Sequence, residues 1–160
     1  MKKKHVSPLF HNKFVILRTK HNIVTMTLKV FFKKDRFAAL AGVELLEVKE
    51  GYAKARMLVT PEHLNGGGVC QGGALFTLAD LACAAAVNSH LILTLGTSAN
   101  ITFVANVSEG YVFAEARELV DHPKMPYCEV RVTDETDRLL AVFTSSCYRK
   151  KGAVIDADRP

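Results

Sequence analysis

Residues Asn65–Ser89, NGGGVCQGGALFTLADLACAAAVNS, decide how the rest of this chain folds. A glycine-rich loop of small residues opens onto a run that is almost wholly apolar. A segment apolar on all sides reads as a helix buried all round. Its length suits a core helix and is marginal for a bilayer span, and an acid near its centre counts against spanning. That acid, Asp80, is the one carboxylate in the run. Burying a lone carboxylate costs free energy unless it is paired, protonated or used, so Asp80 is the first candidate functional residue.

Before this stretch, VELLEVKEGYAKARMLVTP alternates with period two and reads as two strands, about 43–48 and 52–60. They turn at Glu50-Gly51, and Pro61 closes the second. After it, residues 92–106 form a strand rich in Thr, Ile, Val and Phe, with Gly96 marking a bulge or a close approach. Residues 111–121 alternate clearly, and 127–134 with 138–149 make a last hairpin turning at Glu135-Thr136-Asp137. Ahead of all these, Thr27 to Leu40 is amphipathic at helical spacing. Val30, Phe31, Phe37, Ala38, Leu40 and Ala41 form its apolar face, and Gly42 is the C-cap.

The order is helix, two strands, one long helix, then three or four antiparallel strands. Without βαβ alternation a parallel Rossmann-type sheet is excluded. The economical fold is α+β: an antiparallel sheet of five to six strands wrapped around one long central helix, plus a short N-terminal helix. Residues 26–150 form the domain. Residues 1–25 read as an extension, disordered or upstream of a natural start at Met26, and the polar 151–160 as a frayed end.

A length of 160 residues, 49% of them apolar and 23% charged, suits one globular domain. Cys70, Cys83, Cys128 and Cys147 are widely spaced with no CxxC pair, which reads as reduced thiols in a cytoplasmic protein; Cys83 and Cys147 fall at core positions. The net charge is +5, but residues 1–25 carry six basic residues and no acid, so the remaining body is close to neutral. That distribution gives no footprint for nucleic acid. No His/Cys/acid spacing suggests a metal, and Gly66–Gly68 lacks the Lys-Ser/Thr of a phosphate loop. No cofactor, nucleic acid or membrane partner is expected.

His63-Leu64-Asn65, Gly68, Gln71-Gly72-Gly73, Leu78 and Asp80 stand at spacings that resemble the hotdog-fold acyl-CoA thioesterases of the phenylacetic-acid-degradation type. The likeness extends over about residues 26–149, including FFKKDRFAALAG at 31–42 and NITF at 100–103. It implies hydrolysis of an acyl-CoA, with coenzyme A as part of the substrate. Asp80 would be base or nucleophile, the Gly72 N–H the oxyanion donor, and Asn65 would orient carboxylate or water. Thr97 or Ser98 would add a hydroxyl, and His63, Gly73, Leu75 and Phe103 would contact substrate. Leu78 and Ala79 are further candidates for lining the acyl pocket. Gln71 replaces the more frequent His; its amide still polarises a carbonyl oxygen but cannot shuttle a proton.

Physical chemistry supports these roles. A helix N-terminus offers unsatisfied N–H groups and partial positive charge to an oxyanion, and the side-chain-free Gly72 and Gly73 allow close approach. Gly72 and Asp80 are eight residues apart, about 12 Å along a helix. One carbonyl carbon cannot lie within about 3 Å of both. If both act on one thioester, they come from different chains, in a homodimer whose long helices run antiparallel. The resemblance adds pairing of dimers into a tetramer. Arg149, Lys150 and Lys151 are candidates for meeting CoA phosphates. The competing readings are a non-catalytic acyl-CoA or lipid-binding hotdog protein and the hydratase branch, which pairs its Asp with a His that this helix lacks.

Overall fold

The central helix forms where the apolar run begins. In the computed structural model, which describes residues 22–155, α3 spans Gly72–Val87. Around it stand α1 (22–32), α2 (Arg36–Leu40), β1 (Glu44–Lys49) and β2 (Tyr52–Val59). A 3-10 turn at Pro61–His63 precedes α3. After it come β3 (Ile92–Phe103), β4 (Gly110–Val120), β5 (Tyr127–Asp134) and β6 (Leu139–Val154). The six strands make one sheet in the order β1-β2-β4-β5-β6-β3, every neighbouring pair antiparallel.

The sheet's inner face explains why α3 lies against it. Period-two positions on the middle strands, Ala53, Ala55 and Met57, Val112, Ala114 and Ala116, Val130 and Val132, are all fully buried. Many are alanines, which leave room for a helix to approach. Leu75, Leu78, Ala82, Cys83 and Ala86 of α3 fill that space, and Phe76 meets Phe143 edge-on with ring centroids 5.1 Å apart. Each fully buried leucine contributes about 1.5–3 kcal/mol. Cys70, Cys83, Cys128 and Cys147 are free and buried, as core readings of Cys83 and Cys147 require.

Asn88 turns the chain from α3 into β3. Its side-chain amide donates to the Ala84 and Thr94 carbonyls, both at 2.8 Å, while its Oδ1 accepts from the Thr94 N–H at 2.8 Å. This buried residue satisfies the last carbonyls of α3 with its own polar atoms. β3 therefore runs back antiparallel to α3, and the Phe103 ring ends against the backbone of Gly72.

Four expectations are corrected. The single helix over 27–40 is two helices, broken at 33–35, because Asp35 accepts from the Ala38 N–H (2.9 Å) and caps α2. A short acceptor at an N-cap is worth about 1 kcal/mol, enough to restart a helix here. The break turns Phe37 and Leu40 outward, 68% and 82% exposed, while Leu28 of α1 and Ala38 are buried. Gly42, as expected, ends α2: with φ +67° it lets Gly42 and Val43 donate to the Ala39 and Ala38 carbonyls.

The long strand at 92–106 stops at Phe103, and the bulge falls on Thr97, next to Gly96. Residues 151–154, read as frayed, continue β6, with Val154 opposite Ile92 and Ile155 buried. The fourth correction is that α3 is not covered on every side. Gly73 and Asp80 are exposed and Thr77 and Ala84 half-buried, one stripe at helical spacing left open by the sheet. Of the segment 1–25, residues 1–21 lie outside the described residues; 22–25 are helical, and the Thr25 hydroxyl donates to the Val48 carbonyl at 2.8 Å.

Candidate active site

The loop before α3 is built by Asn65. Its Oδ1 accepts from the N–H groups of Gly67 (2.8 Å) and Val69 (3.4 Å), and its backbone pairs with Val69 and Gly68. This turn chemistry is typical of Asn. It engages the side-chain oxygen and leaves the amide N–H groups with no partner among the described residues.

At the helix tip Gln71 folds over its own backbone, so that its Oε1 accepts from the Gly73 N–H. Gly73 is thus already capped. The Gly72 N–H has no partner among the described residues and is the tip's available donor. The Phe103 ring lies so close to Gly72 that a Cβ there would come within 2.7 Å of it. An aromatic wall therefore flanks the one free N–H of a helix terminus, an arrangement that stabilises a developing oxyanion beside an apolar group.

Asp80 sits two turns further along the open stripe. It reaches the surface of the single chain, yet the atoms crowding its carboxyl strip enough hydration to raise its pKa, and the charge of Asp35 raises it further. Both causes favour the protonated form. Asp35 is a participant that the sequence reading overlooked, although an Asp after two lysines and before an apolar run is an N-cap signal.

The remaining candidates divide. Thr97, on the bulge, donates its hydroxyl to the Ser146 carbonyl at 2.9 Å, and Ser98 accepts through its carbonyl from the Ser145 hydroxyl at 2.9 Å; both residues are exposed on β3. His63 has both ring nitrogens engaged. Nδ1 accepts from the Thr60 N–H at 3.0 Å and Nε2 donates to the Ala41 carbonyl at 3.1 Å, tying the 3-10 turn to the end of α2. Leu75, Leu78 and Ala79 are buried in the core, whereas Phe103 is half-exposed. The structure thus brings Gln71, Gly72, Gly73 and Phe103 together at the tip, with Asp80 on the same helix.

A second polar cluster lies at the far end of α3. His90, Glu118 and Asp121 bring ligand-type atoms within 4.8 Å of one another. The position is already served by a cation: Arg149 donates to Glu118 and Asp121, each at 2.7 Å, and His90 pairs with Glu118 at 2.6 Å. Arg149 is itself buried, so it is not the exposed phosphate contact expected of it.

Comparison with known proteins identifies the family and the fold. The Thioesterase superfamily model matches residues 67–141. A putative esterase of Archaeoglobus fulgidus is 38% identical over 131 residues, 81% of this chain and 85% of its own. Acyl-coenzyme A thioesterase PaaI of Escherichia coli is 27% identical over 124 residues, 77% and 89% of the two chains. The solved structure of the E. coli PaaI protein superposes with a TM-score of 0.80 at 25% identity, covering 85% of this chain and 99% of that one. With its six-stranded antiparallel sheet around α3 and its Gly-Gly helix tip, the chain belongs to the thioesterase superfamily, as a hotdog-fold thioesterase of the PaaI type.

Proposed function

We propose that this protein hydrolyses an acyl-CoA thioester to a free carboxylic acid and CoA at a site shared by two subunits. The observation that carries the reading is the open stripe of α3, which holds Asp80 and leads back to the unpartnered Gly72 N–H at the tip. Eight residues of helix, about 12 Å, separate them. Two such helices packed antiparallel bring the Asp80 of one chain opposite the Gly72 of the other.

At each site Asp80 acts as base toward water, or attacks the carbonyl carbon itself. In both routes the carbonyl oxygen takes up negative charge, held by the partner's Gly72 N–H, and the C–S bond breaks. In the first, the proton that Asp80 took from water passes to the CoA sulfur. In the second, water opens the Asp80 acyl anhydride, which releases the acid, restores the carboxylate and supplies the proton of the thiol. Gln71 helps to polarise the carbonyl, and the Asn65 amide orients carboxylate or water. Phe103 packs against the acyl group. Naming of the E. coli relative as an acyl-coenzyme A thioesterase supports the substrate class. A homodimer, paired again into a tetramer, is the expected assembly in a cytoplasmic protein. No described helix is long and apolar enough to cross a membrane.

The test is subunit mixing. Asp80→Asn removes the acid, and Gly72→Pro removes the N–H at a first helical position whose backbone suits proline, the half-exposed Phe103 ring having to yield to the added Cβ. Each variant alone is expected to lose thiol release from a panel of aryl and fatty acyl-CoAs. Co-refolded mixtures regain it, because one site of each mixed dimer has both groups intact. Absence of recovery sinks the shared site. Tight acyl-CoA binding without thiol release by the unaltered protein would favour the non-catalytic reading.

A further inference from the structure

α1 is apolar on two sides, and only one of them packs against the fold. Val24, Leu28, Phe31 and Phe32 turn inward onto the core, with Leu28 fully buried. Ile23, Met26 and Val30 stand at i, i+3 and i+7, share the opposite side, and are 55%, 69% and 42% exposed. α2 repeats the pattern: Ala38 is buried while Phe37 and Leu40 point outward. Both helices border one hollow of about 290 Å³ against β1, floored by Phe32, Ala38 and Val43, so their outward faces are neighbours. Single apolar residues on a surface need no explanation, but five large ones on two adjacent helices mark a surface that meets something.

The cations gather at the same place. Lys29 and Lys33 stand at the hollow, whose one acid, Glu44, is already paired with Arg56 at 2.8 Å. Lys29, Lys33 and Arg36 enter none of the ion pairs among the described residues. Residues 1–42 hold ten basic residues against one acid, Asp35, a net of +9, whereas 43–160 hold eleven against fifteen, a net of −4. The chain's whole positive excess therefore lies in or before these two helices. An apolar helix face bordered by Lys and Arg suits the plane of a lipid surface, where apolar side chains enter the acyl boundary and cations meet anionic headgroups. Charge also argues against a second copy here, because a two-fold contact would set these like charges against one another.

We infer that the outer face of α1 and α2 docks this protein on an anionic lipid bilayer, against the expectation of no membrane partner. Ile23, Met26, Val30, Phe37 and Leu40 enter the boundary between headgroups and acyl chains, and Lys29, Lys33 and Arg36 meet the lipid phosphates. The protein then lies on the bilayer without spanning it.

The chain has no tryptophan, so a single one introduced reports contact without background. Full-length Met26→Trp and Phe37→Trp are mixed with vesicles of phosphatidylglycerol and phosphatidylcholine in equal parts, or of phosphatidylcholine alone. Emission should shift to the blue with the first and not with the second. Leu58→Trp, on the sheet face turned away from α3, should shift with neither. Sedimentation with the mixed vesicles then measures affinity. Met26→Glu/Phe37→Glu, which keeps every cation, should lower it at least about tenfold, as should Lys29→Glu/Lys33→Glu. Lys124→Glu/Arg131→Glu makes the same charge change at exposed positions elsewhere and should lower it less than about threefold. Circular dichroism checks folding, and the tryptophan shifts decide the matter if a charge variant does not fold. No blue shift, undiminished binding by Met26→Glu/Phe37→Glu, or an equal loss from the distant pair each overturns the docking face. So does a smaller light-scattering mass for Met26→Glu/Phe37→Glu without vesicles, which would make the face a contact between copies.

Discussion

The two edges of the sheet are built to opposite specifications. β1 has six residues, carries Glu44, Glu47 and Lys49, and slips register between Leu45 and Glu47. It also lies under α1, to which Thr25 bonds it through the Val48 carbonyl. β3 has twelve residues and no charged side chain, and it is exposed from Leu95 to Asn100 beside the uncovered stripe of α3. Charge, shortness and bulges are how proteins keep a free edge from pairing. β3 shifts register at Leu93 and at Thr97 but keeps an unbroken register from Ser98 to Phe103. The contrast teaches that one side of this molecule is finished against solvent, while the other presents an uncharged, exposed strand beside an open helix stripe, the surface that a second copy would complete in the proposed assembly.

The largest expected effect separates chemistry from assembly on the β3 side. Asp80→Asn should lower the turnover number ~10²–10⁴-fold, measured by thiol release, while light scattering finds the dimer unchanged. Because desolvation and Asp35 favour the protonated acid, ionised Asp80 works against folding near neutral pH, so this variant should melt no lower than the parent. Undiminished turnover would remove Asp80 from the chemistry.

The edges themselves come next. Asn100→Lys with Thr102→Lys places like charges on β3, and should yield monomers whose rate falls ~10²–10³-fold as the partner's oxyanion donor is lost. The same kind of change on β1, Glu47→Lys, should alter neither assembly nor rate. A double variant that stays dimeric and active would erase the distinction between the edges.

A smaller effect concerns pH. A raised Asp80 pKa means that the acid-side fall of kcat/KM should lie at higher pH than for an unperturbed aspartate. Asp35→Asn, which removes one of the two causes, should shift that fall to lower pH. An unmoved limb would show that Asp35 does not act on Asp80.

The smallest concerns the start of β3. Hydrogen bonding to Glu118 raises the pKa of His90. The stability from this pair is therefore fully present below the unfolded value of about 6.5 and lost as pH rises through the higher folded value. His90→Asn should lower the melting temperature by a few degrees at pH 6, with the difference shrinking toward pH 9. A constant difference would mean that charge on His90 contributes nothing.

What could be read from the residues alone was whatever depends on local pattern. Period-two alternation located β2, β4, β5 and most of β6 because each has one buried face, and Gly42 and Gly51 marked turns that need positive φ. The apolar run, its glycine tip and Asp80 were legible because a carboxylate in such a run is costly wherever the chain goes. Tertiary structure decided the rest. The same Phe37 and Leu40 that fit an apolar stripe point outward because the Asp35 cap restarted the helix. His63 became a strut because Thr60 and Ala41, three and twenty-two residues away, converge on its two nitrogens. Lys124 and Tyr148 share a groove because β6 carries past residue 149 to meet Ile92. Periodicity reports which side of an element is buried; which distant groups meet there is set by how the sheet closes on its helix.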